Sequence, residues 1–217
     1  MDIEMTTRYQ LSDSALPPLS AVGGKARALT EAIGAGFAVP DGFVLSVDFF
    51  APWLETIKQS ALWTDLLSAA TEPRQDTTAD DHVIKRECDA LQNLCSTLAL
   101  SDTQRSDLDT AMDRFGESQL FAVRSSSPEE DLATASFAGG YETTLGVTRA
   151  TLEAALVSCF TSLLDERVVT YKQQNQIPID NPRIAVIVQQ QIASEVSGVA
   201  FSLNPQNNDY DEAVINA

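Results

Sequence analysis

The chain has 217 residues, and its hydrophobic content of 44% is enough to bury the core of one large or two small domains. Its 14 basic and 31 acidic residues give a net charge of −17, so a nucleic-acid backbone or an anionic membrane would be repelled. Any anionic ligand must therefore be held by a few local groups. The polar N-terminus and the absence of a long apolar run lead us to expect a cytoplasmic protein.

The N-terminal part predicts a helix, a strand and a second helix. Apolar residues at helical spacing between residues 24 and 33 indicate a short helix that begins at Gly23-Gly24-Lys25. Residues 43–47 form an apolar run that is typical of a buried strand. Asp48 is a candidate N-cap for the helix that follows.

The middle of the chain predicts two helices after a polar connection. Residues 71–81 are polar and acidic, as in a surface loop or linker. Residues 84–98 and 102–115 repeat apolar side chains at helical spacing, and we expect them to form a helical hairpin. The single histidine, His82, stands among charged residues and is expected to be solvated, which argues against histidine-based nucleophilic catalysis within this chain.

The three cysteines, Cys88, Cys95 and Cys159, lack the spacing of a metal site. Two of them are seven residues apart on one predicted helical face. We expect all three to be buried thiols.

The second half of the chain alternates strands with an amphipathic helix. Runs rich in β-forming residues predict strands at 119–123, 141–147, 183–192, 196–203 and from 213 onward. Thr148 is a candidate N-cap for the intervening helix. Because the last strand pattern runs up to Ala217 without a partner or a turn, we expect a domain that continues beyond this residue.

The strongest candidate for ligand binding is the segment from Phe121 to Val147. Arg124 follows a short apolar run and offers a planar fork of donors to phosphate oxygens. Gly139 and its neighbouring glycine let backbone N–H groups approach an anion, and Thr143 is placed to reach a phosphate or the metal bound to it. The alternative is a strand, a solvated loop and a hairpin with a surface arginine. We expect the acidic residues 129–131 to face water at a helix start.

Two further motifs fit a nucleotide. Lys25 follows a glycine pair at a helix start, where unpaired N–H groups favour a phosphate, although the P-loop spacing is absent. The alternative is a flexible cap with an exposed lysine. Gln189 to Gln191 end an apolar strand where free backbone groups could contact an adenine edge, and Glu195 could hold ribose hydroxyls. As isolated features these residues also fit an ordinary strand terminus.

Together these motifs resemble a known family. The stretches are VGGKARALTEAIGAGFAVPDGFVLS (Val22 to Ser46), FAVRSSSPEEDLATASFAGGYET (Phe121 to Thr143) and RIAVIVQQQIASEVSGVAFSLNP (Arg183 to Pro205). In this order they are similar to the nucleotide-binding domain of phosphoenolpyruvate synthase and pyruvate phosphate dikinase. Rifampin phosphotransferase shares this domain.

The resemblance implies an α/β (α+β) fold of the ATP-grasp type, with ATP between two subdomains. It implies phosphate contacts from Lys25 and Arg124, with Gly139 and Thr143 on the closing loop. It also implies adenine contacts at Gln189 and at the hinge that includes Gln191, and a ribose contact from Glu195; these are the expected ATP-binding residues. Because the family usually has a hydrophobic residue at the position of Gln191, a backbone contact is expected there.

The resemblance divides the chain into residues 1–115, an N-terminal subdomain with a helical insertion; 116–182, a second subdomain with the arginine and glycine-loop motifs; and 183–217, incomplete hinge strands. It implies that the magnesium ligands and the phosphate-accepting histidine lie beyond this chain, so we expect no catalytic or metal-binding residue in it and no turnover by the isolated chain. The expected ligands are ATP and Mg²⁺, and the expected partners are the phosphohistidine and pyruvate-binding domains of the full enzyme.

Three functions stay open on this basis. The chain is the ATP-binding portion of a phosphoenolpyruvate synthase-like dikinase or of a rifampin phosphotransferase-like antibiotic kinase, or it is itself a stand-alone, non-catalytic nucleotide-binding or interaction module. In the first two, ATP phosphorylates a histidine on another domain before the phosphoryl group reaches the final acceptor.

Overall fold

A computed structural model of the chain describes residues 6–71, 77–129 and 143–217, of which residues 77–81 are described by their backbone alone. The α-helices in these ranges are α1 (Leu19–Gly34), α2 (Ala51–Lys58), α3 (Ala61–Thr71), α4 (Thr77–Cys95), α5 (Asp102–Met112), α6 (Leu152–Thr161) and α7 (Glu166–Gln174). The strands are β1 (Arg8–Gln10), β2 (Gly42–Leu45), β3 (Phe121–Ser126), β4 (Thr143–Val147), β5 (Ala185–Gln190), β6 (Val199–Phe201) and β7 (Val214–Asn216).

Five of the strands form one antiparallel sheet in the order β1-β2-β5-β3-β4. The strands predicted at residues 43–47, 119–123, 141–147 and 183–192 are confirmed as β2, β3, β4 and β5 of this sheet, with shifted ends. The central strand β5 is apolar from Ala185 to Val188 and is buried along this length, because both of its faces are covered. Strands from all three predicted segments of the chain therefore contribute to one sheet, while the division into subdomains stays a prediction.

The two faces of the sheet are covered differently. Alternate residues of a strand point to opposite faces, and Val186 and Val188 of β5 pack with Phe43 and Phe121 into the large core beneath α2 to α7. We call this side the helix-covered face. Ile187, on the other side, packs with a small cluster around α1. We call that side the α1 face.

The large core is rich in aromatic rings. Phe50 and Trp53 at the start of α2 contact Phe160 of α6, with ring centroids 5.9 and 5.4 Å apart. Such ring pairs add stabilisation beyond the area they bury. The three cysteines are free and buried as predicted, and burial raises the pKa of Cys88 to about 12 and that of Cys95 to about 11. The thiols of Cys88 and Cys95 are consequently poor nucleophiles at neutral pH.

Several helix predictions need correction. α4 packs mainly against α3 and α7, so the expected hairpin with α5 is wrong. The sequence reasoning missed α3 and placed a loop over residues 77–81, where α4 already begins. Asp48 does not cap a helix; it lies inside a 3₁₀ turn that precedes α2.

Two predicted helix starts are confirmed. Ser101 begins α5 through a capping box with Gln104, whose side chain also donates to the carbonyl oxygen of Phe49 at 2.7 Å. Thr148 forms a capping box with Thr151 at the 3₁₀ turn that leads into α6. His82, near the start of α4, is exposed as expected. Within the ranges that the structure describes, no helix is long and apolar enough to cross a membrane.

β6 and β7 pair with each other in a separate antiparallel ladder. The strands predicted near these positions are thereby confirmed. Their side chains are exposed or only partly buried, and Ile215 keeps 76% of its surface accessible.

Candidate functional site

The α1 face carries the polar residues that the sequence singled out. Arg124 lies in β3, directly opposite Thr143 of β4 and Ile187 of β5. Because directly opposed residues share a face, with Cβ atoms about 5 Å apart, the Arg124 and Thr143 side chains are neighbours. Ile187 belongs to the α1 cluster, so this row lies on the α1 face. Arg124 is partly buried in the sheet and Thr143 is exposed at its edge.

The start of α1 is held against the end of β3. Gly23 interrupts the helix with φ 75° and ψ 170°, a backbone conformation that favours glycine. A Cβ atom there would lie 2.4 Å from the carbonyl oxygen of Ser126, so the two backbones touch. The predicted helix start at the glycine pair is confirmed, although one further helical turn precedes the kink.

Ser126 completes this junction through its side chain. Its hydroxyl donates to the carbonyl oxygen of Val22 at 2.6 Å and accepts from the Ala26 N–H at 3.1 Å. The serine thus satisfies an N–H group in the first turn after the kink, as a capping residue does. Ser126 is two residues from Arg124 on the same face of β3, and Lys25 immediately precedes Ala26. The fold therefore brings the helix start with Lys25 to the strand that carries Arg124.

The next row of the α1 face contains Gln189. This residue is opposite Ala122 of β3 and Gly42 of β2, one row along from Arg124. Its side chain is 6% exposed, and its amide nitrogen donates to the carbonyl oxygen of Pro40 at 3.0 Å. Diagonal neighbours on one face are about 7 to 8 Å apart, so Gln189 lies within one nucleotide's length of Arg124.

Gln191 makes a contact that the sequence did not suggest. Its side-chain oxygen accepts from the Gly146 N–H of β4 at 2.5 Å, and its own N–H donates to the carbonyl oxygen of Leu120 at 2.9 Å. Gly146 has φ 69° in β4, whose ladder with β3 changes register. The Gln191 side chain therefore ties the end of β5 to β4.

Of the two remaining predicted residues, the structure describes Glu195 alone. Glu195 is exposed in the segment between β5 and β6. Gly139 lies outside the described residues.

A comparison with protein families identifies the family of the chain. The model of the pyruvate phosphate dikinase AMP/ATP-binding domain matches residues 19–217. The chain belongs to this family. The resemblance found in the sequence motifs is thus confirmed, and the chain is a nucleotide-binding domain with a mixed α/β fold.

Relatives of this AMP/ATP-binding domain are phosphotransferases. A rifampicin phosphotransferase of Streptomyces sviceus is 33% identical over 84% of this chain and 20% of its own length. The phosphoenolpyruvate synthase of Pyrococcus furiosus is 31% identical over 90% of this chain and 28% of its own length. A probable phosphoenolpyruvate synthase of Methanocaldococcus jannaschii is 31% identical, again over 90% of this chain and over 16% of its own length. The chain therefore spans less than a third of each of these relatives.

One prediction about the AMP/ATP-binding domain is wrong. Glu129 was expected to face water, but it is 7% exposed and forms an ion pair with Lys172 of α7, which is 2% exposed. Sequence reasoning missed this pair because residues 43 positions apart give no local pattern. Lys172 occupies one position of an amphipathic helix, where a lysine usually faces solvent.

The described part of the domain offers no metal centre, since no three His, Cys, Asp or Glu side chains converge within residues 6–71, 82–129 and 143–217. A cavity of about 420 Å³ opens in the helical layer at the ends of α3 and α7. It is lined mainly by apolar residues and by Asp180, without a lysine or an arginine. This cavity is therefore unsuited to a polyphosphate.

Proposed function

We propose that ATP lies on the α1 face, with its phosphates between the start of α1 and the neighbouring strands β3 and β4. The observation that supports this proposal is the shared row of Arg124 and Thr143, next to the junction of Gly23 with Ser126. Arg124 supplies the planar fork of donors, Lys25 supplies a point charge and Thr143 supplies a hydroxyl. In a chain with a net charge of −17, these few groups give a local preference for an anion.

We place the adenine at the end of β5, one row along from Arg124. The Gln189 amide nitrogen is bonded to Pro40 and the Gln191 side-chain oxygen is bonded to Gly146. Side-chain contacts from these two residues are therefore secondary to the backbone groups after Gln190, where the strand ends. Glu195, four residues beyond Gln191, is proposed to hold the ribose hydroxyls.

The fold proposed for the complete domain is of the ATP-grasp type. In this proposal the five-stranded sheet, which draws on all three predicted segments, belongs to one subdomain and the β6–β7 ladder begins the other, with ATP between them. The proposed boundary between the subdomains therefore differs from the predicted one at residue 115. Gly139 precedes Thr143 by four residues and is proposed to lie on the loop that closes over the phosphates.

The protein that contains this chain is proposed to be a phosphoenolpyruvate synthase-like dikinase of the cytoplasm. ATP would phosphorylate a histidine on another domain, and that phosphohistidine would transfer its phosphoryl group to pyruvate. Mg²⁺ would neutralise charge on the phosphates during transfer. On the basis of the family resemblance, we expect its ligands elsewhere in the protein and no ATP turnover by these 217 residues alone.

A rifampin phosphotransferase is the second candidate, because a rifampicin phosphotransferase is 33% identical to the chain. The test is incubation of the protein that contains this chain with ATP, Mg²⁺ and either pyruvate or rifampicin. Formation of phosphoenolpyruvate supports the first candidate, phosphorylated rifampicin supports the second, and neither product supports a non-catalytic module.

The nucleotide site itself is tested with Arg124→Ala. Loss of a charge-assisted hydrogen bond should weaken ATP binding by about 1.5 to 3 kcal/mol, which is about 10- to 150-fold. Calorimetry measures the ATP dissociation constant directly. Arg167→Ala is a matched control, since Arg167 is exposed on α7 and pairs with Asp165 away from the sheet. Unchanged ATP affinity in Arg124→Ala would refute the proposed phosphate contact.

A further inference from the structure

The ion pair between Glu129 and Lys172 is buried in a place that the proposed mechanism does not use. Lys172 Nζ donates to a carboxylate oxygen of Glu129 at 2.5 Å. The side chains retain 2% and 10% of their accessible surface. In each of the other ion pairs between described side chains, at least one partner keeps more than a third of its side-chain surface accessible, as in Lys85 with Asp89. Glu129 and Lys172 therefore stand apart from the surface pairs.

Stability alone does not explain such a pair. Removing two charges from water costs several kcal/mol for each ion, and a well-packed apolar pair of similar volume is often as stable or more stable. Removing one partner is harmful because it leaves a buried charge uncompensated. A buried pair differs from an apolar contact in one respect: its hydrogen bond fixes direction as well as distance.

The position of the pair indicates that it fixes the chain where it leaves β3. Glu129 follows β3 by three residues, and its N–H donates to the Ser127 hydroxyl at 3.1 Å. The same hydroxyl donates to the carbonyl oxygen of Arg183 at 2.8 Å, just before β5. The chain leaving β3 is thus fastened at Ser126 to α1, at Ser127 to the start of β5 and at Glu129 to α7.

The fastened segment lies next to the proposed phosphate-binding groups. Glu129 lies five residues beyond Arg124 and is held by α7. Between them, Ser126 bonds to Val22 and Ala26, on either side of the glycine pair and Lys25. Displacement of Glu129 would therefore disturb the Ser126 junction that holds Lys25 near Arg124.

We propose that Glu129 and Lys172 are a positioning pair for ATP binding. They fix the exit of the chain from β3 and so, through the Ser126 junction with α1, place Lys25 near Arg124. This inference rests on the proposed ATP site. It assigns the pair to the triphosphate end of the nucleotide and not to the adenine end, which lies beyond Gln190 on the opposite side of Arg124. A misplacement of about 1 Å is enough to cost up to about a hundredfold where geometry is demanding.

The decisive variant is the double substitution Glu129→Met and Lys172→Met, which replaces the ion pair with apolar side chains of similar length. Urea unfolding measures stability, and titrations with ATP and with adenosine measure affinity. We expect the unfolding midpoint to stay close to that of the wild type, ATP affinity to fall about tenfold or more, and adenosine affinity to change less than about threefold. A purely structural role would affect the two ligands equally.

Two further variants keep the test conclusive if the double variant does not fold. Lys172→Arg retains the charge and the hydrogen bond, so ATP affinity should stay within about threefold of the wild-type value. Glu129→Gln retains the shape and an acceptor but loses the charge, and ATP affinity should fall while adenosine affinity holds. Lys85→Met is the control for loss of an exposed, paired lysine and should change neither affinity.

Wild-type ATP affinity in a folded double-Met or Glu129→Gln variant would overturn the proposal. An equal loss of ATP and adenosine affinity would overturn it as well. If the wild-type protein that contains this chain binds no ATP, the proposed function fails instead, so the two failures are distinguishable.

Discussion

The two faces of the five-stranded sheet are built from alternate residues of the same strands, yet they carry different chemistry. On the helix-covered face, Phe121, Val123 and Val188 are at most 1% exposed and pack into one large apolar core. On the α1 face, the partly buried Arg124 of β3 and the buried Gln189 of β5 lie beside a small apolar cluster that includes Ile187 of β5. The comparison indicates that stability resides mainly on the first face, and that the second face is left available for a ligand.

The largest expected effect on stability comes from the helix-covered face. Phe121→Ala removes a ring that meets Phe115 edge to face at a centroid distance of 5.2 Å. Truncation of a buried phenylalanine costs about 3 to 5 kcal/mol of the free energy of unfolding. Urea unfolding measures this loss, while the ATP affinity of the folded protein should stay within about twofold.

Phe37→Ala is the control, since Phe37 is 70% exposed and its truncation should cost less than about 0.5 kcal/mol. A strong loss of ATP affinity in folded Phe121→Ala would break the separation of the two faces.

Gly23→Ala should produce a loss of stability of similar size together with a loss of binding. The Gly23 backbone, with φ 75° and ψ 170°, costs about 1 to 3 kcal/mol for alanine, and the contact with Ser126 adds about 1 to 3 kcal/mol of overpacking. The start of α1 must move away from β3, so ATP affinity should fall as well. Urea unfolding and calorimetry measure the two effects.

Gly36→Ala is the control for this prediction, because it places alanine at a positive φ without a close contact. Gly36 has φ 87°, and an added Cβ would meet no atom within 4 Å. It should lose only about 1 to 2 kcal/mol of stability and retain ATP affinity. Equal behaviour of the two variants would show that the contact between Gly23 and Ser126 is unimportant.

The smallest expected effect sharpens the assignment of the adenine end. Gln191→Leu removes the acceptor for the Gly146 N–H and should cost about 1 kcal/mol of stability. If the backbone contacts adenine, ATP affinity measured by calorimetry should change less than about threefold. A loss of tenfold or more would place the Gln191 side chain against the base.

Gln190→Leu is the matched control for this substitution. Gln190 lies opposite Phe121 on the helix-covered face, and its side chain donates to Gln119. ATP affinity should therefore be unchanged in this variant.

The sequence predicted the parts of the fold that have a local signal. Helical spacing and the capping residue Thr148 located helices, and apolar runs located β2, β3 and β5. It failed where a long-range contact decides the outcome. The partner of α4 is set by packing against α3 and α7, which periodicity does not report.

The same contrast between local signals and long-range contacts applies to the candidate site. Arg124 and the glycine pair at Gly23 were recognised because residue type and spacing are local signals. That Arg124, Thr143 and Gln189 share one face depends on strand register, which emerges only from the assembled sheet. The burial of Glu129 was missed for the same reason, because its partner Lys172 lies in a different layer.

The most direct test of the central claim uses the methyl groups of Ala122 and Val123. These consecutive residues of β3 lie opposite Gln189 and Val188, and therefore on opposite faces of the sheet. Methyl NMR spectra recorded during an ATP titration report which face the nucleotide contacts. We predict a saturable shift of the Ala122 methyl signal with little change at Val123; a larger shift at Val123, or no shift at either residue, would contradict an ATP site on the α1 face.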